Sequence, residues 1–187
     1  MVAEMSTSIP RADLEQRLRR FEIQDSVRAC MNRYMVLCDA LDAQTPLDEL
    51  AGLFTEDAVW EGKGAKYVQS FGGYRGRAAI AAMFAGYMKT PAHFALNVHF
   101  LASELIEARD AAVVGSWVML QTSTFASGAS HLNAARLSVR FAEEDGQWRM
   151  AHFQTENLFS RPVQAWSSDA ELPVPKPAAQ VSDSAHE

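Results

Sequence analysis

The chain has 187 residues, of which 48% are apolar, and this composition can build one full hydrophobic core. Its formal charge of -6 and its pI of about 5.4 argue against nucleic acid and anionic membrane surfaces as partners. No apolar run approaches the roughly 20 residues of a membrane span, and the N-terminal segment lacks the apolar core of an export signal. These features predict a soluble cytoplasmic protein.

Helical periodicity dominates the first forty residues. Apolar side chains recur at three- and four-residue spacing from Leu14 to Leu41, which predicts a long amphipathic helix, with residues 1–20 as a helical extension. A short second helix is predicted over residues 48–54, and a first strand over residues 58–62. The glycine-rich segment 72–76 has turn chemistry and leads into a third helix over residues 77–88.

The period changes to two near Phe94. One face of the segment 94–100 is apolar, whereas the other carries His93, Asn97 and His99. Residues 112–125 are apolar on both faces, which predicts a strand that is central or covered by a partner subunit. Two further strands flank Asp145-Gly146, a strong hairpin signal. Helices followed by antiparallel strands predict one α+β domain over residues 1–160, and the proline-rich residues 161–187 are predicted to form an irregular tail.

Cofactor and metal motifs are lacking in the sequence. Cys30 and Cys38 lie eight residues apart on the predicted helix, about 12 Å along its axis, which is too far for a disulfide. We therefore interpret them as buried thiols. The sequence contains no CxxC, no GK[ST] and no GxGxxG pattern, so we predict neither a metal nor a bound cofactor.

Three residues could carry out acid–base chemistry. Asp39 lies in an apolar run at the end of the first helix, where the helix dipole disfavours a negative charge, and this suggests a partner or a function. His93 opens the polar face of its strand, and histidine titrates near neutral pH. Tyr34 lies about 140° around the helix from Asp39, so it is either a proton donor or a core aromatic residue. Arg136 would bind an anionic group or pair with surface acids.

These residues belong to a pattern that resembles the SnoaL-like branch of the nuclear-transport-factor-two-like superfamily, which has a cystatin-like, cone-shaped fold. The resemblance covers residues 21–166 and implies a curved antiparallel or mixed β-sheet wrapped around the long N-terminal helix, with two further helices enclosing a cavity. The stretches that carry it are Ile23-Gln-Asp-Ser, Arg33-Tyr34-x4-Asp39-Ala-Leu-Asp42, Leu53-Phe-Thr-Glu-Asp-Ala-Val-Trp60, Tyr74-Arg-Gly-Arg-Ala-Ala-Ile80, His93-Phe-Ala-Leu-Asn97 and Asp145-Gly-Gln-Trp-Arg149.

Within that branch the spacing is similar to scytalone dehydratase, bile-acid dehydratases and hexachlorocyclohexane dehydrochlorinase. The resemblance implies that Asp39 orients His93, that His93 removes a proton, and that Tyr34 donates a hydrogen bond to a carbonyl or leaving oxygen. In the dehydratases a second histidine or an acid stands on the strand that here covers residues 117–125. This chain has Gln121 and Thr122 there instead.

The resemblance therefore implies a cofactor-independent lyase, either dehydratase-like or an enzyme of related C–O or C–C elimination. Its substrate would be a small, mostly apolar compound with hydroxyl or carbonyl groups: aromatic, lignin-derived, polyketide or steroid-like. The residues predicted to bind this substrate are Asn97, Trp60, Phe54, Trp117, Gln121 and Arg136. Two alternatives remain open, namely an isomerase or cyclase with the same proton shuttle and a non-catalytic ligand-binding module. A homo-dimer or homo-trimer is expected, because the open sheet face is apolar.

Overall fold

The long N-terminal helix is the central element of the computed structural model, which describes residues 10–109, 112–164 and 166. Helix α1 runs Arg11–Asp39. Its first turns leave Leu14, Leu18 and Phe21 exposed. From its middle onward α1 buries one face, and the buried residues keep the predicted spacing: Val27, Cys30, Met31, Tyr34, Met35, Leu37 and Cys38.

Three short helices follow along the chain. Helices α2 (Leu47–Gly52) and α4 (Arg77–Ala85) are the two that the sequence predicts, each slightly shorter than expected. Helix α3 (Gly64–Ser70) was not predicted. Gly64 has a φ of 71°, a conformation that favours glycine, and it allows the chain to turn from the preceding strand into α3.

The six strands form one mixed sheet in the order β2-β1-β6-β5-β4-β3. The strands are β1 (Phe54–Lys63), β2 (Gly73–Arg75), β3 (Phe94–Arg109), β4 (Ala112–Phe125), β5 (Ser130–Glu144) and β6 (Gln147–Val163). Only the β1–β6 pair is parallel among the described strands. The predicted hairpin is confirmed, since Asp145 and Gly146 both have positive φ between β5 and β6.

Bulges bend the long strands. Register shifts occur twice along the β3–β4 pair, between Phe94 and Leu96 and between Ala102 and Leu105, and twice more along β5–β6. Each bulge adds twist and curvature to the strand that carries it. The α+β class and the curved mixed sheet expected from the sequence are confirmed, because the sheet packs its inner face against α1.

The apolar residues of β4 divide between the two faces of the sheet. Trp117 and Met119 are buried in the core, whereas Val114 and Leu120 are exposed on the outer face. Strand β4 lies between β3 and β5, so the predicted central position is correct. Its outer apolar residues are uncovered within the single chain.

Strand β6 continues to Val163, just beyond the predicted domain end at residue 160. The side chain of Trp166 donates a hydrogen bond from Nε1 to Thr124 Oγ1 at 3.1 Å. Residues 167–187 of the predicted irregular tail, and residues 1–9 of the predicted extension, lie outside the described residues. Over the part of the chain that the structure describes, no helix is long and apolar enough to cross a membrane.

Candidate active site

A cavity of about 170 Å³ opens between α1, α4 and the inner face of the sheet. Aromatic and sulfur-containing side chains supply most of its wall, and the polar groups are a histidine, amides, hydroxyls and a thiol. The lining residues are Tyr34, Met35, Cys38, Leu41, Trp60, Tyr67, Phe71, Met83, Phe84, Tyr87, Phe94, Asn97, His99, Met119, Gln121, Asn133, Leu137, Phe153 and Thr155. None of them is an aspartate, glutamate, lysine or arginine, so the wall suits an uncharged, mostly apolar compound.

Asp39 and His99 form a hydrogen-bonded pair at the cavity. The Nδ1 atom of His99 lies 2.6 Å from Asp39 Oδ1, and the backbone N–H of His99 donates to the same oxygen at 2.8 Å. His99 lines the cavity, and Asp39 lies behind it as seen from the cavity. A carboxylate on Nδ1 fixes the neutral tautomer with its proton there, which leaves Nε2 as the nitrogen that can accept a proton from a ligand.

The predicted pairing of Asp39 with His93 is wrong. His93 lies just before β3, outside the cavity wall, and its ring contacts the rings of Tyr87, Phe94 and Phe125. The physical reason is the bulge between Phe94 and Leu96, which reverses the alternation of side chains. Phe94 therefore faces the cavity together with the later residues of the inner face, whereas a regular strand would have placed His93 there.

Asn97 connects the end of α1 to the sheet. Its amide nitrogen donates to the Cys38 carbonyl at 3.0 Å, and its Oδ1 accepts hydrogen bonds from Gln121 Nε2 and Ser123 Oγ, both at 2.8 Å. Because Cys38 immediately precedes Asp39, this contact holds the carboxylate next to His99. Asn97 was predicted to bind an oxygen of the substrate, and the structure instead gives it contacts that position the pair.

The amide row continues across the inner face of the sheet. Gln121 lines the cavity, as its predicted binding role requires, and its Oε1 accepts a hydrogen bond from Asn133 Nδ2 at 3.3 Å. Asn133 Oδ1 in turn accepts from the Tyr67 hydroxyl at 3.0 Å and from Asn157 Nδ2 at 2.9 Å. This wall is therefore neutral and its amides largely bond one another, which keeps them in fixed orientations.

Tyr34 is a buried wall residue whose hydroxyl has protein partners. It accepts a hydrogen bond from Trp60 Nε1 at 3.2 Å, and its ring packs against Phe54, Phe84 and Phe153. Burial is the main reason that the Tyr34 pKa lies well above its ordinary value. Burial likewise raises the pKa of the neighbouring Cys38 thiol to about 12. Both groups are protonated at neutral pH, and Tyr34 fits the core-aromatic alternative better than a proton donor to the substrate.

The other predicted binding residues divide into two groups. Trp60 lines the cavity, where its ring stacks on Phe153 with centroids 5.7 Å apart. Phe54, Trp117 and Arg136 lie outside the wall, so their predicted contact with a substrate is corrected. Phe54 is in the core beneath the Tyr34 ring, and Trp117 donates from Nε1 to Glu104. Arg136 is exposed on the outer face of the sheet.

Sequence reasoning missed the roles of His99, Asn133, Tyr67 and Tyr87. The alternation of β3 places His99 on the same face as Asn97, so the sequence did indicate that His99 could reach the site. Without knowledge of the bulge, the same alternation placed His93 on that face too, and nothing favoured His99 over it. Tyr67 lies on the unpredicted α3, and Asn133 joins the site only through the pairing of β4 with β5. Across the described part of the chain, no group of three or more His, Cys, Asp or Glu residues could hold a metal ion.

The fold is that of an α+β protein of the NTF2-like superfamily, in which a curved sheet and a long helix enclose a cavity. Residues 19–154 match the model of the SnoaL-like domain, so the chain belongs to the SnoaL-like domain family.

Solved structures with the same fold include a hexachlorocyclohexane dehydrochlorinase (LinA) type 2, at 19% identity and a TM-score of 0.65, over 79% of this chain and 93% of that one. A candidate scytalone dehydratase from Novosphingobium aromaticivorans is 16% identical with a TM-score of 0.64, over 78% of this chain and 90% of that one. A candidate aromatic ring hydroxylase from the same organism is 16% identical with a TM-score of 0.65, over 76% of this chain and 94% of that one. At these identities the likeness shows the fold alone. No curated protein matches the chain in sequence.

Proposed function

We propose that the protein is a cofactor-independent lyase in which His99 is the general base and Asp39 its orienting acid. The observation that carries the proposal is the 2.6 Å contact between His99 Nδ1 and Asp39 Oδ1 at the wall of an otherwise uncharged cavity. His99 Nε2 removes a proton from carbon, and the C–H electron pair forms a double bond as a leaving group departs with its own bonding pair. Asp39 stabilises the imidazolium that results.

The cavity restricts the substrate to small, neutral compounds. Its volume of about 170 Å³ lies below the roughly 300–1,000 Å³ of sites for drug-sized ligands, which favours one- or two-ring molecules over a steroid. Phenylalanine, tryptophan and methionine in the wall suit an aromatic or cyclic substrate. Hydroxide and halide are the leaving groups that we propose for this step. A hydroxymethyl substituent would instead be lost as formaldehyde after His99 removes its O–H proton, and the C–C bonding pair would stay on the remaining substrate as an enolate. The cytoplasmic location expected from the sequence stays a prediction.

An isomerase that uses the same pair is the second candidate. Gln121 and Thr122 occupy the strand segment where an ionisable partner was expected from the resemblance, so among the described residues His99 is the one imidazole in the wall. A single base can return the proton to another carbon of the same substrate, which is isomerisation without a leaving group. Both reactions begin with the same proton transfer.

Product mass distinguishes these functions. We would incubate the protein with cyclic β-hydroxy ketones, hydroxylated aromatic compounds and chlorinated cyclohexanes of one or two rings, and follow them by mass spectrometry in H₂O and D₂O. Loss of water, hydrogen halide or formaldehyde supports the lyase. Unchanged mass in H₂O with deuterium incorporation in D₂O supports the isomerase. Binding of these compounds with neither change would contradict both and support a non-catalytic module.

We further propose that a second copy of the chain covers the outer patch, defined as five exposed apolar residues on β3 and β4: Leu96, Phe100, Leu105, Val114 and Leu120. Each is more than a third exposed, and a clustered apolar surface of this kind is typical of an interface. Arg136 and Glu156, on the neighbouring strands, give the same face both charges, which suits contact with an identical face.

Light scattering after size exclusion should therefore give a dimer or trimer for the wild type. Phe100→Asp, which places a charge in the outer patch, should shift the mass to that of a monomer. Val68→Asp is the matched control, because Val68 is equally exposed but lies on α3 outside the patch. A monomeric wild type, or equal dissociation in both variants, would contradict this interface.

A further inference from the structure

The cavity wall contains three phenols, and they differ in what their hydroxyls contact. The Tyr34 hydroxyl accepts a hydrogen bond from Trp60, and the Tyr67 hydroxyl donates to Asn133. The Tyr87 hydroxyl has no hydrogen-bond partner among the described residues, although its ring lines the same cavity. The hydroxyl is not among the described buried polar atoms left without a partner, so solvent or a ligand can reach it. An accessible phenol hydroxyl in a cavity wall can bond an atom of a ligand.

The backbone and ring of Tyr87 are held in place by their surroundings. Tyr87 lies two residues after the end of helix α4, and its backbone N–H donates to the Phe84 carbonyl at 2.9 Å, which continues the last turn. Its ring meets the His93 ring edge to face, with centroids 5.5 Å apart. These contacts fix the ring and leave the hydroxyl free, and this combination suits a group that orients a substrate.

The protonation of Tyr87 also suits hydrogen-bond donation. Burial is the main cause that raises its pKa above the ordinary value for tyrosine, and the nearby Tyr74 adds to the shift. The phenol therefore keeps its proton at neutral pH. Asn97 is another polar residue of the wall, but its amide oxygen already accepts two hydrogen bonds and its amide nitrogen already donates one.

We propose that the Tyr87 hydroxyl donates a hydrogen bond to a carbonyl or hydroxyl oxygen of the bound compound. The catalytic part of this proposal rests on the proposed function. When His99 removes a proton from the carbon next to a carbonyl, the electron pair moves onto the carbonyl oxygen and forms an enolate. Tyr87 stabilises that oxygen by hydrogen bonding while retaining its own proton. The proposed substrate is therefore a cyclic compound in which the carbon that loses its proton to His99 is next to a carbonyl group.

The test is a binding cycle that requires no turnover. The probes are 2-naphthol and 2-methylnaphthalene, which have similar shapes but differ in the hydroxyl, and affinities are measured by fluorescence titration for wild type and Tyr87→Phe. We expect Tyr87→Phe to weaken 2-naphthol binding about 3- to 10-fold, corresponding to one neutral hydrogen bond, and to change 2-methylnaphthalene binding less than about 2-fold. Tyr74→Phe is the matched control, because Tyr74 lies near Tyr87 but outside the wall.

Three results would overturn the proposal. If Tyr87→Phe weakened the binding of both probes equally, Tyr87 would have a packing role only. If it weakened the binding of neither probe, Tyr87 would not contribute to binding. Failure of 2-naphthol to bind the wild type would exclude this ligand class, provided that melting temperatures show all variants to be folded. Failure of the lyase proposal would look different, since Tyr87-dependent binding of 2-naphthol would persist while no substrate is turned over.

Discussion

Replacement of His99 by glutamine is expected to lower turnover of any substrate identified for this protein by about 10²–10⁴-fold. Glutamine keeps a hydrogen-bonding side chain of similar length, but it cannot accept a proton from carbon, so the general-base contribution is lost. Initial rates at saturating substrate check this, since an effect on the chemical step appears in kcat. Asp39→Asn should also be severe, because an amide cannot stabilise the imidazolium that forms on His99.

His93→Gln is the matched control for this experiment. His93 is the same residue type, six positions earlier and outside the cavity wall, where it packs against Tyr87 and Phe94. Its replacement loosens the packing of Tyr87 but removes no base, so kcat should fall far less than it does for His99→Gln. If His93→Gln abolished activity while His99→Gln remained active, the assignment of the base would be wrong. Long-range ¹H–¹⁵N NMR of the wild type offers a second check, since Nδ1 of neutral His99 should carry the proton.

Replacement of Phe54 by alanine is expected to lower the free energy of unfolding by about 3–5 kcal/mol. Phe54 is fully buried at the start of β1 and packs against the rings of Tyr34 and Phe84. Alanine leaves a void among these rings that the surrounding core can only partly fill. For a chain of this length each kcal/mol lowers the melting temperature by about 2–4 °C, so calorimetry should show a large decrease.

Leu18→Ala is the control for the stability measurement. Leu18 is apolar like Phe54, but it is 58% exposed on the N-terminal part of α1. Its replacement should change the free energy of unfolding by less than about 0.5 kcal/mol. Similar losses for both substitutions would show that Phe54 is not part of a cooperative core. The comparison also tests whether the core beneath the cavity contributes more to stability than the helical extension does.

Much of the fold could be predicted from local pattern. The three- and four-residue spacing from Val27 to Cys38 predicts a helix with one buried face, and the alternation after Phe94 predicts a strand. Asp145-Gly146 marks its hairpin because both residues tolerate positive φ. These signals are carried by neighbours in sequence and by steric preferences of single residues. The parallel pairing of β1 with β6 is not such a signal, since it joins segments almost a hundred residues apart.

The site was only partly accessible from the sequence. Asp39 was singled out because a carboxylate at the end of an apolar helix violates a local preference, and the partner that this suggested is His99. The choice between His93 and His99 depended on a bulge of one residue near Phe94, which changes the face that each side chain occupies. Such a shift is set by the pairing of β3 with β4, so no periodicity within β3 alone reveals it.

The sequence by itself determined the class of the protein and the helix that carries Asp39, because these follow from composition, periodicity and a family pattern. Only the tertiary structure decided which histidine meets Asp39, that Asn97 tethers the helix end, and that Phe54, Trp117 and Arg136 lie outside the cavity wall. The physical reason is that these contacts join residues distant in sequence. Their geometry depends on sheet register and curvature, which arise from the packing of the whole domain.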